Sequence, residues 1–257
     1  MNSKKREGSL IMTIQILIGI DDTDNLETHG TGRCARQLGE RLAAGGLAEV
    51  DGITRHQLLI DPRIPYTSHN SSACLLARTT TDRLPDLIAA ARAFLLRESA
   101  PGSDAGLCVA DQSQVTAAHQ DFGQRAKREV LTIDQARGFA QGDGLTLEGL
   151  TGTGGGIIGA LAAVGLRAGG NDGRFLWLKG IREISGGYTA QQLRQTIPID
   201  VVQTLEGVEI PPNDRVELGP WIRPLLKAGR VVLLVEPDNE SHVWRVADKE
   251  RVKQLSS

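Results

Sequence analysis

A mixed α/β (α+β) fold is what this chain of 257 residues predicts, and three observations point to it. Short β-branched apolar runs alternate with longer amphipathic stretches, the pattern of strands interleaved with helices. Two glycine-broken loops, at 29–34 and 151–156, each run directly into a helical stretch. No internal repeat or low-complexity linker interrupts this order. A chain of this length is expected to bury a substantial core, in one large domain or two small ones.

The elements follow in order. IQILIGI (14–20) is short, apolar and β-branched, as expected of a buried strand. RCARQLGERLAAGG (33–46) predicts a helix, with Leu38 and Leu42 one turn apart and a Gly-Gly stop. ITRHQLLI (53–60) and ACLLARTT (73–80) predict strands around the loop DPRIPYTSHNSS. DRLPDLIAAARAFLLRES (82–99) has a helical period, GLCVA (106–110) is a short strand, and 112–131 is expected to continue as helix. GDGLTLEGLTGTGGG (142–156) reads as a glycine-rich loop opening the small-residue helix GIIGALAAVGLRAG (156–169). FLWLKGI (175–181) predicts a strand and GYTAQQLRQT (187–196) a helix behind Thr189. VVLLVE (231–236) and HVWRVA (242–247) are strand-like.

Composition limits the function classes. The chain is 40% hydrophobic and 23% charged with a formal net charge of −2, which argues against global nucleic-acid affinity and leaves a local basic face open. Thirty glycines against 4% aromatics suggest loops where backbone approaches a ligand. Cys34, Cys74 and Cys108 form no C-x-x-C pair, so neither a zinc site of the usual spacing nor a disulfide scaffold is expected. The basic start MNSKKREGSLIM is followed by no long apolar segment. No signal peptide or membrane span is therefore expected, residues 1–12 are expected to be a loose tail, and the expected location is cytoplasmic.

Three candidate sites stand out. Asp21-Asp22-Thr23-Asp24 gathers carboxylates at a strand end, where they repel one another unless a cation sits among them. Hard oxygens in this density suit Mg²⁺, usually held by one or two carboxylates plus substrate phosphates; the same residues also suit a solvated turn that caps the next segment. HGTGRC (29–34) places glycines before a helix start, where free N–H groups favour an anion, or forms a flexible connection. TGTGGGIIGALAAVG (151–165) has four glycines in the five positions 152–156, whose amides suit a phosphate. It is neither a Walker A loop nor a G-x-G-x-x-G fingerprint, and a tight packing helix with a loose start explains it equally well. Together these are the parts of nucleotide chemistry.

IGIDDTD, the Cys34 helix, DPRIPY (61–66) and GIIGALAAVG (156–165), in this order, resemble the archaeal tRNA-isoleucine agmatinylcytidine synthetase (TiaS) family over residues 14–182. The resemblance implies a kinase-like ATP-binding domain with a ferredoxin-like portion over 13–185, followed by a small C-terminal α/β segment over 186–257. It implies ATP and Mg²⁺ as cofactors, since that family uses ATP to activate an anticodon cytosine for agmatine attachment. Asp21, Asp22 and Asp24 then match its acidic metal motif. Gly154, Gly156 and Gly159 match its nucleotide loop, with Gly152, Thr153 and Gly155 beside them. Three departures bear on the substrate. The family's cysteine is followed by Thr-Thr-Tyr-Leu, whose first threonine takes part in phosphoryl transfer; here Cys34 is followed by Ala35, Arg36, Gln37 and Leu38. Its IPYKTRGN is Ile64-Pro65-Tyr66-Thr67-Ser68-His69-Asn70-Ser71, without the lysine and arginine. A basic residue of its glycine loop is Gly155. Neither an OB-fold nor a zinc ribbon is expected in these residues.

The leading expectation is a Mg²⁺- and ATP-dependent phosphotransfer or ligase-type enzyme acting on a small molecule rather than tRNA. Asp22, His29 and Thr31 are its candidate catalytic residues. A non-catalytic nucleotide-binding relative is the alternative, and a haloacid-dehalogenase-type phosphatase a third, on the D-x-D of Asp22 and Asp24.

Overall fold

Ile16, Ile18 and Ile20 alternate with Leu17 along the first strand, and all four are buried, so both faces of that strand must be covered. The computed structural model describes residues 11–67, 69–140, 144–238 and 243–255. In chain order its elements are β1 (Thr13–Asp21), α1 (Thr31–Ala44), β2 (Glu49–Gln57), β3 (Ser71–Thr80), α2 (Leu84–Glu98), β4 (Gly106–Asp111), α3 (Ala117–Ala126), α4 (Ile133–Ala140), β5 (Thr146–Gly149) and α5 (Ile157–Gly169). The second half adds β6 (Arg174–Leu178), β7 (Gly186–Thr189), α6 (Ala190–Thr196), β8 (Val201–Thr204), β9 (Arg215–Leu218), β10 (Leu225–Lys227), β11 (Arg230–Asp238), β12 (Val243–Val246) and α7 (Lys249–Leu255). The fold is mixed α/β, with seven α-helices and a 12-stranded sheet among the described residues. None of these helices is long and apolar enough to cross a membrane.

The sheet runs β5-β4-β1-β3-β2-β6-β10-β11-β12-β9-β7, with β8 beside β11. β1 lies between β4 and β3, antiparallel to both. On one face α1 and α2 cover Ile16, Ile18 and Ile20 with Leu38, Leu42, Leu87 and Leu95. On the other, α3 and α5 cover Leu17, Cys74 and Cys108 with Phe122, Leu161 and Val164. A third core joins Phe175 and Leu178 of β6 to Leu193, Val202 and Leu233. The boundary expected near 185 falls between β6 and β7, and the sheet continues past it through the β6–β10 pairing.

Most local expectations coincide with the elements, and the differences have identifiable causes. Residues 112–131 are not one helix. Asp111 accepts the Ser113 N–H at 2.8 Å and closes a single 3-10 turn over Gln112–Gln114. A capping box between Thr116 and His119 then starts α3 afresh. α4 lies beyond the expected helix, and Thr132 and Gln135 exchange capping bonds of 2.8 and 3.3 Å before it, a T-x-x-Q start signal. The stretch 142–156 is not all loop, because Thr146–Gly149 form the edge strand β5 against β4; residues 142 and 143 lie outside the described residues. β2 begins at Glu49 and ends at Gln57, shifted N-terminally from 53–60, with a register shift between Val50 and Gly52. Thr189 caps α6 as expected, accepting the Gln192 N–H at 3.1 Å.

Candidate functional site

The C-terminal end of β1 delivers Asp21 and Asp22 to the start of α5. Asp21 Oδ2 lies 1.7 Å from where a Cβ on Gly159 would stand, so the helix admits this carboxylate only because residue 159 has no side chain. Burial, then the charges of Asp22 and Asp24, push the Asp21 carboxyl up to about 7. Asp22 adopts φ +49°, a conformation uncommon outside glycine. Burial followed by the charges of Asp104 and Asp24 raises its carboxyl to about 6. Carboxylates this crowded favour protonation or a cation.

Asp104 is the member that sequence reasoning missed. The antiparallel register pairs Asp21 with Gly106, which sets the segment before β4 beside the end of β1. The glycine loop wraps the Asp104 carboxylate. The Thr153 N–H donates to Oδ1, the Thr153 hydroxyl donates to Oδ2 at 2.6 Å, and the Gly154 N–H reaches Oδ1 at 3.3 Å. Gly152, at φ +55°, leaves room for the same oxygen, which a Cβ would approach to 1.7 Å. The amides expected to face a phosphate thus hold an internal carboxylate. A Cβ on Gly156 would meet the Asp104 carbonyl oxygen at 2.3 Å, so that glycine is required by packing alone.

A cleft of ≈ 330 Å³ opens beside this centre. Asp21, Asp104, Thr153, Gly155 and Gly159 line one end, and Leu58, Ile64, Leu131 and Ile158 furnish an apolar wall. Arg63, paired with Asp61 at 2.8 Å, stands at the same cleft.

Asp24, His29 and Thr31 belong to a second cleft of ≈ 410 Å³ at the start of α1. Asp24 caps that helix. Its Oδ1 accepts the Thr31 N–H at 3.1 Å and the Thr31 hydroxyl at 2.9 Å, and its Oδ2 accepts the Thr67 hydroxyl at 3.0 Å. The Thr31 hydroxyl is therefore engaged and buried, while His29 is exposed at the rim. Asp24→Ala is expected to lower stability by about 1–2 kcal/mol, the worth of a helix cap, as read by urea denaturation; an unchanged midpoint would show that the cap is dispensable. Burial raises the Cys34 thiol to about 11 and the Cys74 thiol to about 12, so neither is a ready nucleophile.

No three His, Cys, Asp or Glu side chains converge as a metal cage among the described residues. The structure brings Asp21 and Asp104 to the glycine loop with Asp22 in electrostatic reach of both, and it places Asp24, His29 and Thr31 on the neighbouring cleft. The Asp21–Asp24 segment and the loop over residues 61–71 contribute to both clefts.

Comparison with known proteins bears on this centre. No family model matches the chain. An uncharacterised protein of Methanocaldococcus jannaschii is 28% identical over 152 residues, covering 59% of this chain and 50% of that protein. The structure of TiaS in complex with an isoleucine tRNA and ATP superposes with a TM-score of 0.52 at 26% identity, over 59% of this chain and 36% of the other. This chain resembles TiaS over part of its length. Apo TiaS, described as a tRNA agmatidine synthetase, gives a TM-score of 0.51 at 26% identity over 59% of this chain and 35% of its own. TiaS in complex with the same tRNA, AMPCPP and agmatine gives 0.51 at 25%, over 59% of this chain and 36% of its own. The TiaS structures thus include complexes with ATP and with AMPCPP. The chain spans half the length of the Methanocaldococcus protein and little more than a third of the TiaS chains. Ala35, the residue after Cys34 in α1, is fully buried in the core.

Proposed function

We propose that the protein is a Mg²⁺- and ATP-dependent phosphotransfer or ligase-type enzyme that acts on a small molecule. One observation carries this reading. The cleft beside α5 joins crowded oxygen donors, a glycine loop and an apolar wall. Carboxylates of raised pKa and all-oxygen donors suit Mg²⁺, which takes one or two carboxylates and completes its shell with phosphate and water. Asp21 and Asp104, which line the cleft, with Asp22 in electrostatic reach of both, are the residues that would hold it, and Mg²⁺ there would neutralise phosphate charge. Leu58, Ile64 and Ile158 offer an apolar surface to a base. Asp104 now occupies the Thr153 and Gly154 amides, so a phosphate reaches them only in competition with that carboxylate. The solved TiaS complexes with ATP and AMPCPP support the nucleotide assignment by resemblance.

The buried Ala35 favours a second reading, a nucleotide-binding relative without transfer chemistry, because no hydroxyl stands at that position. Calorimetry with AMPCPP separates these from a purely structural centre. Binding is expected with Mg²⁺ and is expected to weaken at least tenfold in EDTA; equal binding in both would remove the metal from the site. ATP turnover with candidate acceptors then distinguishes enzyme from binder. Incubation with isoleucine tRNA, ATP, Mg²⁺ and agmatine is expected to yield no agmatinylcytidine, and its detection would overturn the small-molecule assignment.

A further inference from the structure

The second cleft is ringed by arginines. Arg33, Arg36 and Arg55 line it with His69. Arg174 is the cross-strand partner of Arg55 on β6, so the two side chains share a face of the sheet. Arg174 and Arg223 stack on the Trp221 ring, at 5.6 and 5.7 Å from its centroid. Among the described residues none of Arg33, Arg36, Arg55, Arg174 and Arg223 forms an ion pair. Asp24, Glu40 and Glu250 lie within electrostatic reach of Arg55, Arg36 and Arg174 without pairing with them.

Arg174 is only 8% exposed, and its Nε is buried with no hydrogen-bond partner. Burial, then the charges of Arg55 and Arg223, lower its pKa to about 10. Burial and the charges of Arg182 and Arg36 lower that of Arg223 as well. Arg36, Arg55 and Arg223 each donate one hydrogen bond inside the protein, to the Gly32 carbonyl, the Ser71 hydroxyl and the Ile222 carbonyl, and the charge left without an ion-pair partner suits an anionic ligand.

We propose that this arginine cleft binds a phosphate-bearing small molecule, which serves as the acceptor beside the nucleotide cleft. A single carboxylate would leave most of these donors unmatched, whereas phosphate offers a second charge and several oxygens to fork-shaped guanidinium groups. Arg174 lies beside Arg55 on the same face of the sheet and adds its positive charge behind the cleft lining. The acceptor role rests on the nucleotide reading given above; anion binding does not.

The test uses the full chain and sodium pyrophosphate in EDTA, measured by calorimetry. Saturable one-to-one binding is expected, weakened at least tenfold by Arg55→Gln and by Arg36→Gln and abolished in the double variant. Arg174→Gln is expected to act similarly. If it melts early, the partly exposed Arg36 and Arg55 still decide the matter, with near-UV circular dichroism reporting their fold. Asp22→Asn should leave pyrophosphate binding intact, and Arg36→Gln and Arg55→Gln should leave Mg²⁺–AMPCPP binding intact. Failure of the nucleotide reading therefore appears separately, as absent Mg²⁺–AMPCPP binding with pyrophosphate still bound. No pyrophosphate binding, or binding indifferent to the arginine variants, overturns the proposal. Joint loss of pyrophosphate and Mg²⁺–AMPCPP binding in the arginine variants also overturns it, by assigning these residues to the nucleotide's own phosphates. Single-stranded RNA bound more tightly than pyrophosphate, with a steep salt dependence, would make the cleft a nucleic-acid surface instead.

Discussion

At pH 8 and without metal, Asp22→Asn protein is expected to melt above wild type, and the same substitution is expected to cut Mg²⁺-dependent AMPCPP affinity about 100-fold or more. Groups that only support a metal ligand are already worth 10–100-fold in metal affinity. The first effect follows from the burial of Asp22 and then its crowding with Asp104 and Asp24, which raise its carboxyl to about 6 from an ordinary 3.8. Between about pH 4 and pH 6 the folded protein binds more protons at Asp22 than the unfolded chain does. Stability therefore falls as pH rises through that window, and above it the cost stays in full. Asparagine removes this charge and also relieves Asp21, whose carboxyl Asp22 helps to hold at about 7. Asparagine also tolerates the left-handed conformation at φ +49°. Allowing for solvent screening of a partly exposed group, the gain is about 1–2 kcal/mol, and the fall in melting temperature between pH 4 and pH 6 should flatten. Opposite signs for stability and binding are characteristic of a ligand site that strains its own fold. A variant that melts below wild type at pH 8, or that binds AMPCPP unchanged, would remove Asp22 from the metal assignment.

What could be read from the sequence divides along a physical line. Local signals are legible: the nearly continuous apolar run of β1, the Gly45-Gly46 stop of α1, the Thr189 cap of α6 and the small residues of α5. Each is set by residues within a few positions of one another. Asp104 was not legible, because nothing near it marks it; only the β1–β4 register sets it beside Asp22. The arginine cleft was hidden for the same reason. Arg55 and Arg174 meet through a β2–β6 ladder that carries a register shift, and Trp221 and Arg223 arrive from beyond residue 185. A formal net charge of −2 conceals such a cluster, since it sums over the whole chain. The crowding of the aspartates at 21–24 is plain in the sequence, but their division between two clefts depends on Thr31 and Thr67 capturing Asp24. For the glycine loop the sequence allows a phosphate cradle and a packing helix with a loose start equally, and the anion it holds, the Asp104 carboxylate, comes from a segment about fifty residues earlier in the chain.

Gly159→Ala decides whether Asp21 truly sits against the first turn of α5. On an ordinary helix this change is favourable by about 1 kcal/mol, because alanine has the better helix propensity. Here the added Cβ would lie 1.7 Å from Asp21 Oδ2, 2.5 Å from its Cγ and 2.9 Å from its Cβ. The carboxylate has to leave the helix start, or the helix has to shift on the sheet. Overpacking of this kind costs about 1–3 kcal/mol, so the expected sign is destabilising, and valine should be worse. For a chain of this size each kcal/mol lowers the melting temperature by about 2–4 °C. Mg²⁺-dependent AMPCPP binding should fall with it, since Asp21 is displaced from the carboxylate centre. A double-mutant cycle identifies the cause. Asp21→Ala removes the two closest atoms and leaves only the 2.9 Å contact, so Gly159→Ala should cost much less in the Asp21→Ala background than in wild type. Additive effects, or a stabilised Gly159→Ala single variant, would show that the Asp21 carboxylate does not occupy the start of α5, and the metal assignment would lose its first ligand.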